Sequence, residues 1–334
     1  MKVGVIGAGS WGTALAIIAA RAGHDVGLWS RNAEVVDSIN RQHSNSCYLK
    51  EARIPETVRA SQDVLHVAEP AELLILAAPS HATRQLVSQM SKVFRPEMIV
   101  VSAAKGIEIE TGKRISQIVN EVVSAETRPR FVCLSGPSFA KEVVTNHPTA
   151  VVAAGEDADA ARMVQSALSF QNLRVYTNDD VVGTELAGSL KNVIAIAAGM
   201  VAGLGFGSNS LAALITRGLA EITRLAVNQG GRIETMIGLA GVGDLVLTCT
   251  GSLSRNRFVG EELGKGRALE EIQRAMSEVA EGVKTTLAAK RLAERNGVQM
   301  PITDGVHAVL YAKKSARDAV AELMSRPLQT EKNW

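Results

Sequence analysis

Apolar and polar positions divide this chain into two regions of different periodicity. In the first, short apolar runs alternate with longer amphipathic stretches. Residues 3–6 form one such run, closing on a glycine-rich turn and an apolar helix that ends at Gly23-His24. Asp25–Trp29 reads as a second strand, and Leu73–Ala77, Met98–Ser102, Phe131–Leu134, Thr149–Ala153 and Leu173–Tyr176 as further ones. Pro79-Ser80 introduces a helical segment over 81–94. Runs without polar alternation, separated by helices, predict a sheet covered on both faces. From Val181 onward helical periodicity dominates. Apolar positions 186, 187, 190, 193, 194 and 197 form one stripe. The longest apolar run, Val193 to Phe206, is too short for a typical membrane span and holds three glycines, so it predicts a buried helix. The polar stretch Thr177–Asp180 marks the change of pattern. The expected division is therefore an α/β domain over 1–179 and an all-α domain over 180–334.

The turn after the first run carries the first chemistry. Gly7, Gly9 and Gly12 have the spacing G-x-G-x-x-G between a strand and a helix. In that setting backbone N–H groups can approach a pyrophosphate at the positive end of the helix, the arrangement of a Rossmann-type doubly wound sheet that binds a dinucleotide. The second strand ends Trp29-Ser30-Arg31-Asn32, with no carboxylate before Glu34 to bond a ribose 2′-hydroxyl. Arg31 can pair with a 2′-phosphate, which favours NADP(H) over NAD(H).

Composition narrows the class. The 334 residues are enough for two cores, and 46% hydrophobic with 21% charged residues describes an ordinary globular protein. Thirty-six basic against 34 acidic residues leave a formal charge of +2 and no basic block, which argues against a nucleic-acid partner. Cys47, Cys133 and Cys249 are odd in number and far apart, as expected of reduced thiols in a cytoplasmic protein. His81 and His147 have no metal-ligand spacing, and no metal is expected.

Further candidates lie where loops leave the strands. In a doubly wound sheet ligands sit beyond the carboxyl ends of the strands, where Gly7–Gly12, Pro79–His81, Ala104–Gly106 and Gly136–Ser138 are expected. Lys105 would point a cation there. In the helical half, Lys191 flanks the apolar stripe; burial lowers the pKa of such a lysine and suits it to proton exchange, whereas a snorkelling lysine would merely cover apolar surface. If Asp244 opens a helix, Thr248 shares its face one turn later; Asp244 could equally be a helix cap. Cys249 reads as a small buried filler. Ser254-Arg255-Asn256-Arg257 reads as a loop with donors suited to a phosphate, or as solvated surface. The stretch around Glu281 either turns a carboxylate to a site or begins an exposed helix.

Taken together, Gly7-x-Gly9-Ser10-Trp11-Gly12-Thr13-Ala14, Ala104–Glu108, Leu134–Ala140, Glu185-x-x-x-x-x-Lys191-Asn192, Gly241-x-Gly243-Asp244-Leu245 and Ser254-Arg255-Asn256 resemble the bacterial NAD(P)-dependent glycerol-3-phosphate dehydrogenases, in order and over nearly the whole chain. The resemblance implies reversible hydride transfer between NAD(P)H and dihydroxyacetone phosphate, giving sn-glycerol 3-phosphate for glycerophospholipid synthesis. It implies Lys191 as general acid/base and Lys105 between nicotinamide and substrate. Asp244 and Thr248 would orient Lys191 and the substrate hydroxyls. Asn192, Ser254, Arg255 and Asn256, with Gly136 and Ser138, would bind substrate; Arg255 is shared with the cofactor. Ser10, Trp11, Arg31, Lys105, Ala140, Val279 and Glu281 would contact the cofactor. A homodimer without a membrane span is expected. The alternatives are a 2-hydroxyacid or ketopantoate-type dehydrogenase, for which a phosphate loop has no use, and a non-enzymatic NADPH-binding regulator.

Overall fold

The apolar runs become strands β1 (Lys2–Ile6), β2 (Asp25–Trp29), β3 (Val58–Ser61), β4 (Leu73–Leu76), β5 (Ile99–Ser102), β6 (Arg130–Ser135), β7 (Thr149–Ala154) and β8 (Leu173–Asn178). They are seen in a computed structural model that describes residues 1–276, 280–328, 330 and 331. The strands form one sheet in the order β3-β2-β1-β4-β5-β6-β7-β8. Every pairing is parallel except β6 with β7. Two features depart from the sequence pattern. β3 was not anticipated, because Val-Arg-Ala-Ser alternates buried and exposed positions on an edge strand too short to stand out. β7 reverses direction, since the preceding connection holds only the five-residue helix Ala140–Val144. The helical segment expected over 81–94 is a short 3₁₀ turn, Ser80–Ala82, followed by helix Thr83–Met90.

The register sets the working edge of the sheet. Ile6 is level with Trp29 and with Leu76, Leu76 with Ser102, and Ser102 with Cys133. The segments leaving β1, β2, β4, β5 and β6 therefore emerge along one edge, with the strand order reversing at β1. β4 and β5 are buried at every residue, as a sheet covered on both faces requires.

The chain divides into two compact units, one of residues 1–105 and 114–181, the other of residues 106–113 and 182–334. The short 106–113 segment thus belongs with the second unit, where Arg291 Nη1 donates to Ile109 O and Arg295 Nη1 to Thr111 O. Among the described residues, the elements after β8 are helical. The central one, Val181–Gly203, has 23 residues and begins well before the apolar run seen in the sequence. It is long and apolar enough to cross a membrane, but 89% of its most apolar window is buried inside the protein, as in the core helix of a globular unit. Its glycines explain how it packs. A Cβ on Gly199 would stand 2.0 Å from Arg257 O, and one on Gly260 would stand 1.9 Å from Ile196 O. The backbones of helices Val181–Gly203 and Arg255–Gly264 approach too closely for any side chain at these positions.

Candidate active site

The first unit presents a dinucleotide turn. Gly7 has φ of +121°, a left-handed conformation that favours glycine. A Cβ on Gly12 would meet Gly7 O at 1.9 Å, so the turn closes only with glycine there. Gly9 differs: beyond its two chain neighbours, no described atom lies within 4 Å of where its Cβ would stand. It is the N-cap of helix Ser10–Arg21 and has no side chain to satisfy the first-turn N–H groups. Trp11 Nε1 is buried without a hydrogen-bond partner among the described residues. Open space before a helix N-terminus fits a pyrophosphate, and the residues present fit NAD(P).

The neighbouring loops bring further candidates together. Lys105 Nζ donates to Gly136 O at 3.0 Å, and Ser138 Oγ donates to the same carbonyl at 3.0 Å. Gly136 can take this position because its φ is +124° and a Cβ would press on Val151 Cα at 3.0 Å. Ala140 opens the next helix. Arg31 is exposed just past β2; its carbonyl accepts from Gln62 Nε2 at 3.2 Å, which ties the loop backbone to the loop after β3.

The second unit holds a buried ionic cluster. Lys191 Nζ lies 2.5 Å from Asp244 Oδ1 and donates to Thr248 Oγ1 at 2.8 Å. Thr248 Oγ1 in turn donates to Asp244 O at 2.6 Å. Lys191, Asp244 and Thr248 are 6%, 1% and 4% exposed, so Lys191 does not snorkel. Asp244 does open a helix, Asp244–Thr250, with Gly243 at the N-cap position, and its carboxylate meets Lys191. A π-turn over Leu239–Gly243 precedes it and requires glycine at 241, where a Cβ would meet Met236 O at 2.0 Å. A buried ammonium held against a carboxylate and a hydroxyl is a group suited to exchanging a proton with a substrate oxygen. Burial pushes the neighbouring Cys249 thiol up to about 12, as befits packing material and not a nucleophile.

Ser254–Arg257 is not the loop that its composition predicted. Ser254 is the N-cap of helix Arg255–Gly264, its hydroxyl accepting from Arg257 N at 3.2 Å. The Ser-x-x start is a helix-cap signal that the high polarity of the stretch masked. Arg255 is exposed at the first helical position. Asn256 points inward: its Nδ2 donates to Asn192 Oδ1 at 2.9 Å, and its Oδ1 accepts from Gly282 N at 2.9 Å. That chain places Asn192, beside Lys191, one side chain away from the start of helix Glu281–Arg295. Glu281 is the first residue of that helix, and Val279 lies outside the described residues.

Among the buried polar side chains that escaped the sequence reading, Glu221 and Asn45 have the clearest roles. Glu221 is 2% exposed and accepts from Ile302 N at 2.6 Å and Thr303 N at 3.2 Å, capping helix Pro301–Tyr311 from a neighbouring helix. Burial raises its carboxyl to about 7, against the opposing pull of those N–H groups and of Arg224. Asn45 is fully buried beneath the glycine turn. Neither sits in a recognisable motif; an Asn or Glu in an otherwise apolar neighbourhood of the fold is the only signal.

Comparison with known proteins shows the family and the fold. Residues 2–161 match the family described as NAD-dependent glycerol-3-phosphate dehydrogenase N-terminus, and residues 180–321 its C-terminus counterpart. A glycerol-3-phosphate dehydrogenase [NAD(P)+] of Koribacter versatilis is 55% identical, covering 99% of this chain and 98% of the relative. One of Geobacter sulfurreducens is 49% identical, covering 99% of each. The crystal structure of glycerol-3-phosphate dehydrogenase from Coxiella burnetii superposes with a TM-score of 0.93 at 39% identity, over 97% of this chain and 98% of that one.

Proposed function

This chain belongs to the NAD-dependent glycerol-3-phosphate dehydrogenase family, and from that premise we propose that it interconverts dihydroxyacetone phosphate and sn-glycerol 3-phosphate with NAD(P)(H). The observation that carries the reading is the buried Lys191–Asp244–Thr248 cluster in a chain that also holds a complete dinucleotide turn. When bound, the nicotinamide supplies the hydride for C2 of the ketone. Lys191 Nζ gives a proton to the ketone oxygen and takes it back from the hydroxyl in the reverse direction. Asp244 and Thr248 hold that nitrogen in place and keep its charge compensated. Lys105, held by Gly136 O, polarises the reacting oxygen. Arg255 supplies a guanidinium to a phosphate, and Asn192, Ser254, Asn256, Gly136 and Ser138 also bind the substrate. Ser10, Trp11, Ala140 and Glu281 join the glycines in holding the cofactor, and Arg31 meets a 2′-phosphate.

In this reading residues 1–179 serve the cofactor, and residues 180–334 the substrate. Three free thiols favour a reducing cytoplasm. A homodimer is the commonest closed assembly, which light scattering checks. The product would enter glycerophospholipid synthesis. The decisive experiment follows nucleotide oxidation by the purified protein with dihydroxyacetone phosphate, in parallel with NADPH and NADH. Turnover is expected with both, faster with NADPH, and Arg31→Ala should erase that preference. Nucleotide binding without turnover would overturn the substrate assignment and leave the fold intact.

A further inference from the structure

We propose that Asn45 is a positioning residue that sets the dinucleotide turn in its binding conformation before the cofactor arrives, and that residues 45–49 act as a strap across the turn. The inference rests on the reading of Gly7–Gly12 as the seat of NAD(P). Asn45 belongs to the connection between β2 and β3, outside the strand-turn-helix unit that carries the glycines. It is 0% exposed, and its Nδ2 donates to Ala8 O at 2.9 Å and to Thr13 Oγ1 at 2.8 Å. One amide thus uses both hydrogens on two acceptors that bracket Gly9 and Gly12. Ala8 O can only accept, so the nitrogen of Asn45 must face it. The strap has a second tie, Ser10 Oγ donating to Tyr48 O at 2.7 Å. Leu49 anchors it from below, 2% exposed, with its N–H on Asn45 O at 2.9 Å.

The consequence follows from peptide geometry. In a trans peptide the C=O and the following N–H point to opposite sides. Drawing Ala8 O inward onto Asn45 therefore turns the Gly9 N–H away from Asn45, at a residue whose Cβ would meet nothing within 4 Å beyond its chain neighbours. Flipping this peptide rotates ψ of Ala8 and φ of Gly9, and glycine at position 9 lifts the steric bar to the second rotation; a flipped peptide would present its carbonyl to the phosphates. Asn45 removes that freedom through the shorter of two bonds on the carbonyl, the other coming from Thr13 Oγ1 at 3.4 Å. The price is its own Oδ1, buried with no hydrogen-bond partner among the described residues.

The test measures binding of NADPH and of NADH to the substrate-free full chain by nucleotide fluorescence, alongside thermal melting. Asn45→Ala should weaken both nucleotides by the same factor, about 10- to 100-fold, because the pyrophosphate is common to the two. At saturating NADPH its kcat and its KM for dihydroxyacetone phosphate should stay within about 3-fold of wild type, as expected for a role confined to cofactor binding. Asn45→Asp, which sets a carboxylate against Ala8 O, should bind more weakly still. Should Asn45→Ala fail to fold, the near-isosteric Thr13→Val removes one of the two acceptors and should weaken both nucleotides by about 3- to 10-fold. Affinities within about 2-fold of wild type in the folded variant would overturn the proposal, as would a fall in kcat with affinity unchanged. Wild-type protein that binds NADPH but does not reduce dihydroxyacetone phosphate would overturn the substrate reading alone, with the affinity series still deciding the role of Asn45.

Discussion

The glycine turn of the first unit and the lysine cluster of the second carry chemistry by opposite means. The turn is built from consecutive residues and works through backbone N–H groups. Its demand on each position is for the absence of volume: a Cβ at Gly12 stands 1.9 Å from Gly7 O. The cluster is built from side chains at 191, 244 and 248, and its demand is for particular atoms in a dry setting. A backbone site is therefore broken by adding atoms, and a side-chain site by removing them. The two kinds of damage should also separate in measurement, one in nucleotide affinity and the other in turnover.

The sharpest separation is expected from Lys191→Ala. Its kcat should fall by roughly two or more orders of magnitude, as loss of a general acid/base does, while NADPH affinity stays within about 2-fold. The variant also leaves Asp244 buried without its partner, a loss of about 3–5 kcal/mol in stability, so turnover must be referred to folded protein. Unchanged turnover would remove Lys191 from the chemistry.

The mirror experiment is Gly9→Ala. The added methyl enters open space, so the melting temperature should hold while NADPH and NADH both bind at least ~10-fold more weakly. The same methyl at Gly12 meets backbone and should cost folding of the first unit. If Gly9→Ala binds both nucleotides normally, the pyrophosphate does not lie over the turn.

A smaller effect is expected from Arg255→Ala, which should raise KM for dihydroxyacetone phosphate by ~10-fold with kcat little changed, the signature of lost uniform binding. Unaltered KM for substrate and nucleotide would take the exposed guanidinium out of the site.

The smallest concerns stability alone. The Glu221 carboxyl ionises near 4.5 when unfolded and near 7 when folded. Between those values the native protein holds the extra proton, so stability declines as pH rises across that window. Glu221→Gln should flatten the decline in melting temperature between pH 5 and pH 7, an effect of at most about 1.4 kcal/mol per pH unit. A slope identical to wild type would mean that Glu221 ionises normally.

How much of this could be read from the chain depends on how local each feature is. The glycine turn is contiguous, and its strand and helix are short-range, so spacing and periodicity together specified it. The parallel strands were legible because burial on both faces demands unbroken apolar runs; β3 was not, since an edge strand need bury only one face. Lys191 could be singled out as a polar residue on an apolar stripe; Asp244 and Thr248 shared one helical face, and only the family resemblance paired them with it. Asp244 and Thr248 lie 53 and 57 residues further along, on a separate helix that follows a π-turn, and only packing brings them to the Lys191 ammonium. Ser254 misled through its composition, since polarity describes a solvated loop and a helix cap equally well.

By itself, then, the sequence determined the class of the protein, the position of the dinucleotide turn and the order of motifs that mark its family. These depend on backbone propensity and on residue spacing along the chain. Only the tertiary structure decided that Asp244 compensates a buried Lys191, that Asn256 ties Asn192 to Gly282, and that Asn45 holds the turn from beneath. Those contacts join residues tens of positions apart, and their strength comes from burial, which no single stretch of sequence contains.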